Sequence, residues 1–180
     1  TRKESSAASD VYKRQGSLMR ILPLAFTAAG PSDIEAVSSI THAHATSVEA
    51  CLLYVAIARR LLKGQQLPEI LLGLETSTTY ARLQTLADLT EDDIRSTGYV
   101  VDTLEAALWC LLTSTSYPET VLKAVNLGDD TDTVAAVAGG LAGIIYGLEG
   151  IPDNWLAQLR NKELLESLSL IHISEPTRPY

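Results

Sequence analysis

The stretch GDDTDTVAAVAGGLAGIIYGL, residues 128–148, decides how this chain folds. No charged residue occurs between Val134 and Leu148, so a helix over this run has no polar face and has to be buried. The run is shorter than the roughly 20 residues that span a bilayer. It therefore predicts a core helix of a globular domain.

Small residues recur every four positions along this predicted helix, at Ala135, Gly139, Gly143 and Gly147. Inside a helix, each glycine costs roughly 1 kcal/mol relative to alanine. Close approach by another element has to offset that cost. We expect a neighbouring helix to pack here, and direct contact with a ligand is the alternative.

Three aspartates, Asp129, Asp130 and Asp132, precede the apolar run. Their charges repel one another unless a cation or the amides of a helix N-terminus stabilise them. Carboxylate oxygens and the hydroxyl of Thr133 are hard ligands, suited to Mg²⁺, Mn²⁺ or Ca²⁺. The alternative is a helix start in which one aspartate caps and the others are solvated. An EF-hand does not fit, because its glycine and late glutamate are missing.

Composition and pattern outside this stretch predict an all-α protein with a single orthogonal helical domain. The chain has 180 residues and a formal net charge of −8, which offers no basic footprint for nucleic acid or an anionic membrane. Its two cysteines lie in apolar runs, which predicts buried reduced thiols and a cytoplasmic location. The pattern predicts helix N-caps at Ser32, at Ser47 and at Asp102 or Thr103. It also predicts an extended connector over Gly98–Val101 and a helix over Tyr117–Asn126.

The two ends of the chain are related at the level of DNA. Asp10–Gln15 can be encoded by a segment whose reverse complement encodes Leu168–Ile173, and that segment resembles the end of a transposase-based sequencing adapter. No folding requirement produces this relation, and the alternative is coincidence. We expect residues 1–15 and 168–180 to be a non-native leader and tail. Residues 16–167 would then form a domain that lacks its N-terminal part.

Four motifs resemble those of ADP-ribosylglycohydrolases in order and spacing, over essentially all of Gly16–Ser167. The last two together are specific to that family, whereas the second alone is weak. The motifs are Gly16-Ser17-Leu18-Met19-Arg20, Thr41-His42, Gly98-Tyr99-Val100-Val101-Asp102-Thr103-Leu104-Glu105-Ala106-Ala107-Leu108-Trp109 and Gly128-Asp129-Asp130-Thr131-Asp132-Thr133.

The resemblance implies an all-helical hydrolase that holds two divalent cations, Mg²⁺ or Mn²⁺, at the bottom of a cleft. It implies Asp130, Asp132 and Thr133 as metal ligands. The family's other ligands, a Thr-Asp-Asp run and an acidic residue nearer the N-terminus, have no counterpart here. The general base is expected in the same missing part, so the catalytic residue is unknown.

The resemblance also implies substrate-binding residues at Gly16, Ser17 and His42. Gly16 and Ser17 would end a loop whose main-chain N–H groups reach the ligand, although the asparagine expected before Gly16 is Gln15 here. His42 would lie near the phosphates of the substrate, or would be a helix-terminal histidine bonded to the backbone. We expect Arg20 to be a structural ion-pair partner rather than a phosphate clamp.

The expected function is cleavage of the glycosidic bond between ADP-ribose and an acceptor, such as a protein side chain. The partner would be an ADP-ribose-containing small molecule or an ADP-ribosylated protein. With half of the metal ligands missing, the fragment is expected to be inactive alone. Three other hypotheses stay open at this point: a non-catalytic ADP-ribose-binding or structural relative, a Ca²⁺-stabilised scaffold, and a fragment that self-associates through surfaces exposed by truncation.

Overall fold

A computed structural model describes the backbone of residues 15–173 and the side chains of residues 16–167. The predicted leader and tail lie outside the residues whose side chains are described, so that hypothesis stays a prediction. Within the described backbone there are helices and no β-strand, which confirms the all-α prediction. None of the helices in this part of the chain is long and apolar enough to cross a membrane.

The described residues form α-helices joined by 3₁₀ segments. The α-helices are α1 (Leu18–Ile21), α2 (Pro31–Ser39), α3 (Ala45–Leu62), α4 (Leu67–Leu72), α5 (Val100–Leu112), α6 (Tyr117–Asn126), α7 (Thr131–Tyr146), α8 (Asp153–Gln158) and α9 (Lys162–Ile173). The 3₁₀ segments are Gln15–Ser17, Leu22–Phe26, Thr78–Asp88, Glu91–Asp93 and Leu148–Gly150.

The described residues divide into two compact units, a first unit that ends at Gly150 and a second unit that begins at Ile151. All the buried side chains among residues 16–167 belong to the first unit. The second unit contains α8 and α9. The hydrophobic core therefore lies within the first unit, which also carries every predicted site residue.

The central element of the first unit is α5, which is buried on nearly all sides from Val100 to Leu111. It packs against α3, α6, α7 and the 3₁₀ segment Thr78–Asp88. The predicted connector through Val101, with a cap at Asp102 or Thr103, was wrong, because α5 begins at Val100. Burial of both valines in the first turn outweighs the low helix propensity of β-branched residues.

The starts of α2 and α3 also differ from the prediction. Gly30, not Ser32, is the N-cap of α2, and its N–H donates to Asp33 Oδ2 at 2.7 Å. At α3, His44 Nδ1 accepts the Thr46 N–H at 3.2 Å, whereas Ser47 is buried in the first turn. In both cases a residue other than the predicted Ser satisfies a free amide of the first turn.

The predicted close approach at the glycines of α7 is confirmed at Gly139, where a methyl group would lie 3.4 Å from Tyr117 and Val121 of α6. Gly143 has open space instead. The tightest contact is at Gly140, which the four-residue stripe omits. A methyl group there would lie 2.7 Å from Leu22 Cδ2 and 2.9 Å from the Tyr54 hydroxyl.

We predict opposite effects for two glycine substitutions in α7. Gly140→Ala should lower the free energy of unfolding by about 1 to 3 kcal/mol, because the added methyl overpacks a buried contact. Gly143→Ala should raise it by about 0.5 to 1 kcal/mol, because alanine favours the helix and meets no neighbour. Urea denaturation followed by circular dichroism measures both. Equal effects of the two substitutions would contradict the assigned contact at Gly140.

Candidate functional site

The acidic turn at the start of α7 has an uncommon backbone conformation. Gly128 and Asp129 have φ values of 89° and 51°, in the left-handed region that glycine and aspartate tolerate best. The turn reverses the chain between α6 and α7. It places Asp130 at the N-cap of α7, where free amides and the helix dipole favour negative charge.

Ser96 holds this turn from the side. Its hydroxyl is buried and donates to the Gly128 carbonyl at 3.0 Å, while its own carbonyl accepts the Asp130 N–H at 3.0 Å. Two hydrogen bonds from one residue thus fix the main chain on both sides of Asp129. Sequence reasoning missed Ser96, because the sequence gives no signal for a bond that spans about 30 residues.

The turn brings Asp130 and Thr133 together. Thr133 is buried, and its hydroxyl donates to Asp130 Oδ1 at 2.8 Å. Adjacent oxygens around an octahedral Mg²⁺ lie about 2.9 Å apart, because the Mg–O distance is about 2.05 Å. The spacing is that of an ordinary hydrogen bond, and two neighbouring ligands of such an ion would have nearly the same separation.

Asp132 lies on the same helical turn, and its side chain is exposed. The donor set is thus two carboxylates and a hydroxyl, all hard oxygen ligands that fit Mg²⁺ or Mn²⁺. Among residues 16–167, no group of three or more His, Cys, Asp or Glu side chains could hold a metal ion. The turn fits one side of a metal site and does not enclose an ion by itself.

The second predicted group, Gly16, Ser17 and His42, lies where the first 3₁₀ segment meets the end of α2. A methyl group on Gly16 would lie only 2.7 Å from His42 Cε1, so the imidazole packs directly on Gly16. Ser17 is fully buried, and the Cys51 thiol lies 3.5 Å from its hydroxyl. Ser17 is therefore part of the core, with its main chain as well as its side chain buried.

Arg20 connects the two parts of this group. Its guanidinium donates to the Gly16 carbonyl at 3.1 Å, the Val37 carbonyl at 3.2 Å and the Thr41 hydroxyl at 2.6 Å. The expected ion pair was wrong, since the two ion pairs found among the described residues do not involve Arg20. Its hydrogen-bond partners are two carbonyl oxygens and a hydroxyl instead.

The His42 ring bonds to a side chain rather than to the backbone. Its Nδ1 lies 2.6 Å from the Thr41 hydroxyl, while its main-chain N–H donates to the Ser38 carbonyl at 2.9 Å. Partial burial, and secondly the charge of Arg20, hold the pKa of His42 below its usual value. The neutral form of the imidazole is thereby favoured.

Comparison with known proteins places these features in a family. The sequence model of the ADP-ribosylglycohydrolase family matches residues 1–178. The ADP-ribosylarginine hydrolase Tri1 of Pseudomonas putida (strain GB-1) is 36% identical over 163 residues, which are 86% of this chain and 44% of that protein. The ADP-ribosyl-[dinitrogen reductase] glycohydrolase of Rhodospirillum rubrum is 32% identical over 82% of this chain and 51% of its own length.

A solved structure agrees with these relatives. A chain of an "ADP-ribosylglycohydrolase-related protein complex" superposes with a TM-score of 0.76 at 31% identity, covering 88% of this chain and 59% of its own. The present chain spans about half the length of the curated relatives that it matches.

We predict that Ser96→Ala loosens the acidic turn specifically. The substitution leaves the Gly128 carbonyl without its donor and should lower the free energy of unfolding by about 1 to 3 kcal/mol. It should also speed hydrogen exchange of the Asp130 amide, which NMR measures. The control is Thr120→Val, which removes another buried hydroxyl, one bonded to the Ser116 carbonyl at 2.9 Å in α6. Unchanged protection of the Asp130 amide in Ser96→Ala would contradict the clamp.

Proposed function

The chain belongs to the ADP-ribosylglycohydrolase family, and from that membership we propose that the protein hydrolyses the glycosidic bond between ADP-ribose and an acceptor. The observation that carries the proposal is the hydroxyl–carboxylate pair of Thr133 and Asp130, 2.8 Å apart at the start of α7. An acceptor on a protein side chain is supported by the names of the matched relatives, an ADP-ribosylarginine hydrolase and an ADP-ribosyl-[dinitrogen reductase] glycohydrolase. An ADP-ribosylated protein is the proposed partner.

We propose that Asp130, Asp132 and Thr133 are ligands of Mg²⁺ or Mn²⁺. When bound, the metal would orient the ribose hydroxyls and would activate a water for attack on the anomeric carbon. The protein's contribution is to hold these oxygens in place. Ser96 fixes the main chain before the ligands, and the buried helix α7 fixes the main chain after them.

The proposed substrate side is Gly16, Ser17 and His42. The chain carries a net charge of −8, so its overall field repels an anionic diphosphate, and local donors have to attract it. Because Gly16 has no Cβ, an aromatic ring can pack directly on its main chain. The imidazole of His42 lies directly beside it and supplies a side-chain donor.

The chain by itself is proposed to be inactive. It covers 44% of the Pseudomonas relative, and among its described residues no group of three His, Cys, Asp or Glu side chains is placed to hold a metal ion. Both cysteines are buried and free, which supports the proposed cytoplasmic location. The competing hypothesis is a non-catalytic ADP-ribose-binding or structural relative, which predicts no metal binding at the turn.

We predict that this chain binds Mn²⁺ and Mg²⁺ through the acidic turn. Asp132→Asn removes a charged ligand and should weaken metal binding by at least about 10- to 100-fold, which is the loss caused by removing a residue that only hydrogen-bonds a metal ligand. Asp92→Asn is the matched control, since it changes the charge equally at an exposed aspartate in the 3₁₀ turn Glu91–Asp93. Calorimetric titration of the folded variants measures the affinities. Equal affinity in both variants would place the metal elsewhere.

We also predict that the 180-residue chain releases no ADP-ribose from an ADP-ribosylated arginine peptide in the presence of Mg²⁺ or Mn²⁺. The physical reason is that one side of a metal site positions neither the water nor the ribose fully. Liquid chromatography of the reaction mixture detects the product. Metal-dependent release above the level of Asp132→Asn would overturn the proposed inactivity while supporting the hydrolase assignment.

A further inference from the structure

Arg20, Thr41 and His42 form a short chain of hydrogen bonds beside Gly16. A guanidinium carries only donors, so the Thr41 hydroxyl oxygen has to accept the 2.6 Å bond from Arg20. The hydroxyl proton then remains available for a second bond. His42 Nδ1, at 2.6 Å from the same oxygen, is the partner that the structure places there.

The direction of this second bond decides the tautomer of His42. If the Thr41 hydroxyl donates to Nδ1, that nitrogen carries no proton, and the single proton of the neutral ring is on Nε2. The opposite direction would aim two donors, the guanidinium and the ring N–H, at one hydroxyl oxygen. It would also leave the hydroxyl proton without a partner among the described residues. The positive charge of Arg20 polarises the hydroxyl and strengthens it as a donor.

The rest of Arg20 keeps this geometry rigid. The same guanidinium donates to the carbonyls of Gly16 and Val37, so it binds the first 3₁₀ segment and the end of α2 together. The Cε1–Nε2 edge of the His42 ring packs on Gly16, with Nε2 3.4 Å from the position of an added methyl. A proton on Nε2 therefore lies beside the main chain of Gly16, which the substrate is proposed to contact.

We propose that Arg20 and Thr41 are positioning residues that hold His42 as a neutral imidazole with its proton on Nε2, ready to donate to an anionic oxygen of the ligand. The assignment of the ligand as a diphosphate rests on the proposed function, whereas the assignment of the tautomer rests on the hydrogen bonds alone. A donor fixed before binding avoids the entropic cost of ordering a free ring.

The test is NMR of the full chain labelled with ¹⁵N in its three histidines. His42→Asn and His44→Asn assign the signals. In the native protein we expect His42 to show one tautomer, with a proton on Nε2 and an unprotonated Nδ1 that accepts a hydrogen bond. Thr41→Val, which removes the hydroxyl, should give the averaged signals of a free imidazole. Thr41→Ser, which keeps the hydroxyl, should restore the native signals.

His44 is an internal control in the same spectra. Its Nδ1 accepts the Thr46 amide, so its proton is also on Nε2, and Thr41→Val should leave it unchanged. An Nδ1 proton on His42 in the native protein would overturn the proposal. So would His42 signals that are the same in Thr41→Val and in the native chain while His44 shows both to be folded.

Titration with ADP-ribose separates this proposal from the proposed function. Thr41→Val should weaken ADP-ribose binding about three- to tenfold, the equivalent of ordering one side chain, and Thr41→Ser should restore it. If the tautomer and its dependence on Thr41 are found but ADP-ribose does not bind the native chain, the positioning roles stand and the ligand assignment fails. Native affinity in Thr41→Val would refute the role in binding.

Discussion

The contact between Tyr54 of α3 and Gly140 of α7 determines how the two longest helices of the first unit pack. The Tyr54 hydroxyl is buried and donates to the Val137 carbonyl at 2.8 Å, in the space that a side chain at position 140 would fill. A buried hydroxyl needs such a partner. Burial also raises the pKa of Tyr54 far above its usual value, so the donor keeps its proton. The separation of α3 and α7 is thus fixed by the absence of a methyl group at Gly140 and by the hydrogen bond from Tyr54.

Both candidate sites depend on this helix pair. Helix α3 begins just after His42, and α7 begins at the acidic turn, so the packing of the two helices sets where the substrate side and the metal side lie. Leu22, which follows α1, fills the same space beside Gly140. The segment that carries Gly16 and Arg20 is therefore held against α7 by the same contact.

Two arginines in the described part of this acidic chain, Arg20 and Arg59, donate to several carbonyl oxygens. Arg59 donates to the carbonyls of Leu24, Thr27 and Ala29, as Arg20 does to those of Gly16 and Val37.

Long-range bonds of this kind could not be predicted from the sequence, whereas features set by neighbouring residues could. The all-helical fold and the bounds of α6 follow from local periodicity and Pro118. The hydrogen bonds of Ser96, and those that link Arg20 to Thr41 and His42, do not follow from local pattern, because the partners are distant in sequence.

The proposed metal site lies at the N-terminal turn of a buried helix. The hydroxyl of Thr133 lies in the protein interior, and Asp130 is tied to it, whereas Asp132 is exposed. A cation at this turn would be approached from the side of Asp132 and would contact protein oxygens on one side only. An octahedral ion then keeps further positions for water and other oxygen donors. Because Ser96 and the packing of α7 already fix the turn, metal affinity would reflect those additional donors more than any reordering of the turn itself.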